Sequence, residues 1–157
     1  MTRRGTVLLL ALQVAAWGQT PQRLSTQPMP ELPVMLAYRL TDEKLDQYIQ
    51  ASRNVTALLG KDPGYGQRMA QDPKTAPKTI DASVEFVKQN LPELYAAVEK
   101  SGMHFREYTI FQGSLLSAWV VANHPRQGSK VEIQKDNLQF VQKNHDKIAA
   151  ALQAQHK

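Results

Sequence analysis

The run YTIFQGSLLSAWVVA, Tyr108 to Ala122, constrains the fold more than any other part of the chain. Wound as an α-helix, it places Tyr108, Phe111, Leu115, Trp119 and Ala122 on one face, and Ile110, Leu116, Val120 and Val121 widen that face well past a single stripe. A helix that is apolar around most of its circumference must be surrounded by others. Gln112, Gly113, Ser114 and Ser117 interrupt the run, and Asn123, His124 and Pro125 follow at once. It is therefore too short and too polar in its middle to cross a bilayer, which takes roughly 20 apolar residues. The run reads as a central core helix with Trp119 deeply buried on its inner face. Gly113 costs roughly 1 kcal/mol in a helix relative to alanine, and the expected return is close approach of a neighbouring helix backbone.

Other helices can be placed around it. Thr41 is a good N-cap, followed by Asp42 and Glu43 where the helix end is positive. Leu40 and Leu45 have the spacing of a hydrophobic staple. Leu45, Tyr48, Ile49, Val55, Leu58 and Leu59 make one stripe, interrupted by Ser52, and Gly60 is the expected stop. The segment GKDPGYGQRMAQDPKTAPK is mainly loop, with a short helix expected over Gln67 to Asp72. Thr79 caps a second helix carrying Ile80, Val84, Val87 and Leu91, and Pro92 opens a third over Leu94, Tyr95 and Val98 to Gly102, unless the two form one kinked rod. The fourth, central helix starts at His104, with Met103 and Tyr108 as a staple and Glu107 folding back onto its N-terminus. Asp136 and Gln139 have the spacing of an acid-capped box opening a last helix, whose Leu138, Val141, His145, Ile148 and Leu152 fall on one face. With no alternating strand pattern, the chain is expected to be all-α, a single bundle of four to five helices over residues 40–155.

Residues 1–18 have the three-part order of a secretory signal: Arg3 and Arg4, an apolar core from Thr6 to Trp17, and small Ala16 and Gly18 before a cut at Gln19. Residues 19–39 carry Pro21, Pro28, Pro30 and Pro33 and read as a flexible Pro-rich arm. The whole chain has 19 Lys+Arg and 14 Asp+Glu. The leader holds two arginines and no acid, leaving 17 basic against 14 acidic groups, a net +3. Charges of both signs are interspersed, which argues against nucleic acid as a partner. There is no cysteine, so disulfides, thiolate metal sites and cysteine nucleophiles are excluded.

The segments RLTDEKLDQYIQASRNVTALL, GMHFREYTIFQGSLLSA and NLQFVQKNHDKIAAALQ resemble, in that order, three segments of a group of secreted bacterial proteins with no assigned function. Within the central segment Arg106, Glu107 and Tyr108 match that group, while His104 and Phe105 replace its usual cap and proline. The resemblance covers about residues 38 to 152. It implies an exported helical domain and carries over no catalytic residue.

The sequence offers no catalytic, cofactor-binding or metal-ligating set. The four histidines are His104, His124, His145 and His156; His145 has Val141 four residues before it and Ala149 four after, so no two-ligand pair is written on that helix. His145 lies on an apolar stripe and reads as a hydrogen-bonded boundary residue. Glu93 with Glu99, or Asp42, Glu43 and Asp46, are explained by helix starts before glycoside cleavage needs invoking. The Asn54-Val55-Thr56 sequon falls inside a helix. Arg106 either pairs with an acid on a neighbouring helix or helps bind an anion at the helix start. The expectation is an exported, non-enzymatic module in the periplasm or beyond, with no cofactor and no membrane span once the signal is removed. It would bind a protein, a peptide or a small apolar ligand through its long loop or a groove, and Tyr95, Tyr108, Phe111 and Trp119 are the aromatics available to line one. The rivals are a small hydrolase or metal-dependent enzyme, and a chaperone-like stress protein with an exposed apolar cradle. N-terminal sequencing of the exported protein should return Gln19 or a close neighbour, and an intact Met1 on cytoplasmic protein would reject export.

Overall fold

The structure, a computed structural model, describes residues 31–62, 65, 77–123 and 133–154. Among these residues all regular secondary structure is helical, in seven segments: α1 (Leu32–Ala37), α2 (Asp42–Lys61), α3 (Ile80–Asn90), α4 (Pro92–Glu99), α5 (Phe105–Asn123), α6 (Lys135–Lys143) and α7 (His145–Ala154). The signal segment, the short helix over Gln67 to Asp72, His124 and His156 lie outside the described residues.

The helix starts follow local chemistry. Thr41 is extended, and its hydroxyl oxygen accepts from the Lys44 amide. The staple residues Leu40 and Leu45 are both buried. The helix runs one residue past Gly60, to Lys61. Thr79 caps α3 in the same way, accepting from the Ala82 amide. Leu91 leaves the helical region and Pro92 opens α4, so α3 and α4 are two helices rather than one rod. Gly102, at φ 83°, turns the chain after α4 in a conformation that side chains resist. Tyr65 is buried, and its hydroxyl oxygen accepts the Leu94 amide in the first turn of α4.

Helix α5 is the centre of the molecule and touches α1, α2, α3, α4 and α6. Every residue from Ile110 to Leu115 is buried, the polar Gln112 and Ser114 included. Six successive residues are more than a full turn, so this part of the helix has neighbours on all sides. The Tyr108 amide donates to the His104 carbonyl, which makes His104 the start of the helix, and Met103 and Tyr108 are both buried.

Several expectations need correcting. Within the arm predicted over residues 19–39, Leu32–Ala37 form helix α1, which accommodates Pro33 in its first turn and packs on α5. What approaches Gly113 is the Met35 side chain rather than a helix backbone; a Cβ there would lie 3.0 Å from Met35 Cε and 3.2 Å from Cγ. The predicted last helix is two. Asn144 ends α6, and its side-chain amide donates to the Phe140 carbonyl and to Asp42 Oδ1, drawing the chain off the axis before α7 begins. No capping box forms at Asp136, because α6 starts two residues earlier than that box requires, at Lys135 after the N-cap Gln134. Trp119 is half-buried rather than deeply buried; it stacks on the exposed His145 ring with centroids 4.8 Å apart. The closed face of α5 ends at Ala118, since the last turn of the helix has fewer neighbours to cover it.

Phe111 is fully buried, and Tyr48 and Tyr38 lie against its ring. Phe111→Ala should therefore cost about 3–5 kcal/mol, and Trp119→Ala clearly less. Urea denaturation followed by circular dichroism checks the order; a larger loss for Trp119→Ala would contradict the packing.

Candidate functional site

The described surface has a long groove between α2 and α7. Asp46, Ile49, Gln50, Arg53, Thr56 and Ala57 recur along one side of α2 at helical spacing, with Ser52 at the floor. Lys147, Ala150, Ala151 and Ala154 repeat at three, four and seven residues along α7 and form the opposite wall. The groove encloses about 660 Å³. It exists because α7 presents alanines where a packed helix would carry larger side chains, so the two helices leave a gap that neither fills. Ile148, on another side of α7, is fully buried and anchors that helix to the core. Asp46 and Lys147 form an ion pair across the groove. Arg53 stands exposed on the rim. Asn54, beside it in sequence, is turned toward α4: its amide donates to the Ala97 carbonyl at 2.9 Å and accepts from Gln50 at 3.0 Å.

The aromatics expected to line a groove do not line this one. Tyr108 and Phe111 are core residues, Tyr95 lies against Phe105 with ring centroids 5.7 Å apart, and Trp119 meets His145. The α7 wall was not legible in the sequence, since alanines on the polar side of an amphipathic helix look like solvent-facing positions. Their spacing at 147, 150, 151 and 154 was the available signal.

The expected polar residues have defined structural partners. Arg106 Nε donates to Asp81 Oδ1 of α3 at 2.7 Å, as the pairing reading required. Glu107 does not fold back onto the start of α5. It accepts from the Tyr38 hydroxyl at 2.8 Å and from Lys44 Nζ at 2.9 Å, tying α5 to the α1–α2 connection. Glu99 performs the capping instead, accepting the Phe105 amide at 2.8 Å and facing His104 Nδ1 at 3.0 Å. Asp42 receives Lys143 Nζ at 2.9 Å and the Asn144 amide at 3.0 Å. His145 Nδ1 lies 3.1 Å from Asp146 Oδ1. Among the described residues no group of three or more histidine and acidic side chains is placed to hold a metal ion, and Val34 is the one large hydrophobic that is exposed. No helix among them is long and apolar enough to cross a membrane.

These contacts set the protonation of the groups involved. Burial pushes the Glu107 carboxyl up, but the bonds from Lys44 and Tyr38 outweigh it and the net shift is downward. Glu99 behaves alike: burial raises it, and the Phe105 amide, His104 and Tyr95 together bring it below its usual value. Asp42 is lowered by the bonds from Lys143 and then Asn144. The Tyr38 hydroxyl is held up by burial and by its bond to Glu107, and Tyr108 by burial and the neighbouring Tyr48.

Compared with known proteins, the chain matches no family model, no curated protein and no solved structure.

Because Glu99, Glu107 and Asp42 sit below their ordinary values of 4.5, 4.5 and 3.8 in the folded chain, the unfolded chain takes up protons first as pH falls. Their contribution is complete above the ordinary carboxylate range and is lost on further acidification. The melting temperature should drop below about pH 4.5. Glu107→Gln should melt lower at neutral pH and show a shallower acid loss. Equal acid dependence of the two proteins would remove Glu107 from this role.

Proposed function

We propose that the chain is an exported, non-enzymatic helical protein that binds a peptide or a small apolar ligand in the α2–α7 groove. The groove is the observation that carries the reading. Its volume of about 660 Å³ falls in the range of about 300–1,000 Å³ typical of ligand sites. Its α7 wall is mostly alanine, its α2 wall sets Ile49 and Ala57 among Gln50, Arg53 and Thr56 with Ser52 at the floor, and its one cross-groove ion pair is self-neutralising. A long unbranched ligand fits this shape better than a compact polar substrate does.

The leader over residues 1–18 supplies the route, with the working place in the periplasm or beyond. The remaining chain is a single bundle preceded by a Pro-rich arm, related to the secreted bacterial helical group that its motifs resemble. A net +3 spread over the surface of the mature chain favours a protein, peptide or apolar partner over nucleic acid.

Amide chemical shifts of the mature chain, titrated with palmitate and with an amphipathic helical peptide, test this. Shifts should concentrate at Ile49, Arg53, Ala57, Ala150, Ala151 and Ala154. Ala151→Arg should remove them while leaving the helical circular dichroism unchanged. Shifts elsewhere, or none with either probe, would reject the groove as the binding site.

A further inference from the structure

Opposite charges step along the seam between α2 and the α6–α7 segment. Asp42 receives Lys143 Nζ at 2.9 Å and the Asn144 amide at 3.0 Å, and one turn later Asp46 pairs with Lys147. Both sides advance by four residues, so α2 and α7 run side by side in the same direction. The same register sets Gln50 level with Ala151 and Arg53 level with Ala154, and all four line the groove. At this last step the alternation of charge stops: α2 presents a guanidinium, and α7 presents a methyl group. Among the described residues Arg39 and Arg106 each meet a carboxylate, of Asp136 and Asp81, while Arg53 has neither an ion pair nor a hydrogen bond.

The groove therefore has two electrically different ends. At one, Lys147 is already neutralised by Asp46, and an incoming anion would have to displace that carboxylate to bind. At the other, about 10 Å further along α2, Arg53 is a positive charge that cannot lose its proton, with planar donors that match a carboxylate. Ile49, Ala150 and Ala151 lie between these ends. A peptide has less to gain here. Both walls are α-helices, whose main-chain groups bond within the helix, so an extended peptide would bury amides with no main-chain partners to receive them. A hydrocarbon chain has no such groups to satisfy.

We propose that the α2–α7 groove takes a single-chain amphiphile with an anionic head, a fatty carboxylate, whose head sits on Arg53 and whose chain runs past Ala151 and Ile49 toward the Asp46–Lys147 pair. This rests on the reading of the groove as a ligand site and adds the chemical class and the direction of the ligand. The charge of Asp46 repels the head from the other end, so the ligand enters in one orientation.

Isothermal titration calorimetry of the mature chain with laurate, 1-dodecanol and dodecyltrimethylammonium, which share one chain length, tests this. At low ionic strength laurate should bind about five-fold more tightly than dodecanol, the size of one exposed charge pair, and the cationic compound should bind most weakly. Added salt should shrink the laurate advantage. Arg53→Gln should erase that advantage, and Arg53→Lys should keep most of it. Ala154→Glu supplies the missing carboxylate on α7 and should erase the advantage with Arg53 still in place. Equal affinity for laurate and dodecanol in the natural chain, or an advantage that survives either Arg53→Gln or Ala154→Glu, overturns this inference and leaves the groove as an apolar site. Absence of amide shifts at Ile49 and Ala151 with both laurate and dodecanol overturns the groove itself, and this inference with it.

Discussion

The structure depends on the burial of α5 on every side between Ile110 and Leu115. Water is excluded from a full turn of this helix, so each neighbouring segment must present a complementary surface, and polar residues within the turn must find partners inside the protein. Ser114 bonds the Ile110 carbonyl and faces the Met35 carbonyl; Gln112 reaches toward the Tyr48 hydroxyl at 3.5 Å. Gly113 has no side chain to place, and Met35 fills the space. Small and polar residues that look like defects in an apolar run are the positions where other segments are fixed to it.

The start of α5 has the opposite character. Two carboxylates converge there from different directions: Glu99 from α4 binds the first amide, and Glu107 from α5 itself reaches out to Tyr38 and Lys44. Partial burial strengthens such contacts relative to open surface. The Lys44 and Glu107 side chains are 26% and 27% exposed, whereas Lys143 and Asp42 are 69% and 56% exposed. The first pair therefore fixes how α2 meets α5, and the second adds little beyond joining the end of α6 to the start of α2.

Much of the fold was legible because its signals are local. Thr41, Thr79 and Pro92 mark helix starts through their own backbone chemistry, and the apolar spacing of α2 and α5 points to the core. Arg106 found its acid on the adjacent helix. What failed required knowledge of tertiary partners. Four prolines across residues 19–39 hid α1, a helix that exists because α5 offers Gly113 and Ser114. The uniform period from Leu138 to Leu152 concealed the break at Asn144, which is drawn out by Asp42, about a hundred residues earlier. The capping role of Glu99 depends on a turn at Gly102 that brings α4 and α5 together. The α2–α7 groove is defined by side chains that are small, and periodicity of large apolar residues does not register an empty space.

The distance in sequence between residues 31–40 and their partners has a consequence for how the chain is made. Tyr38 and the residue that binds its carbonyl, Asn137, are 99 positions apart. At about 5–20 residues per second, synthesis leaves this segment complete for roughly 5–20 s before Asn137 is joined to the chain. Helix α2 can form behind it in microseconds. Met35 and Tyr38 therefore wait through the synthesis of residues 39–106 before Glu107, Phe111 and Gly113 begin to appear, and any factor that binds a nascent chain through a short apolar segment meets this one before the residues that cover it exist.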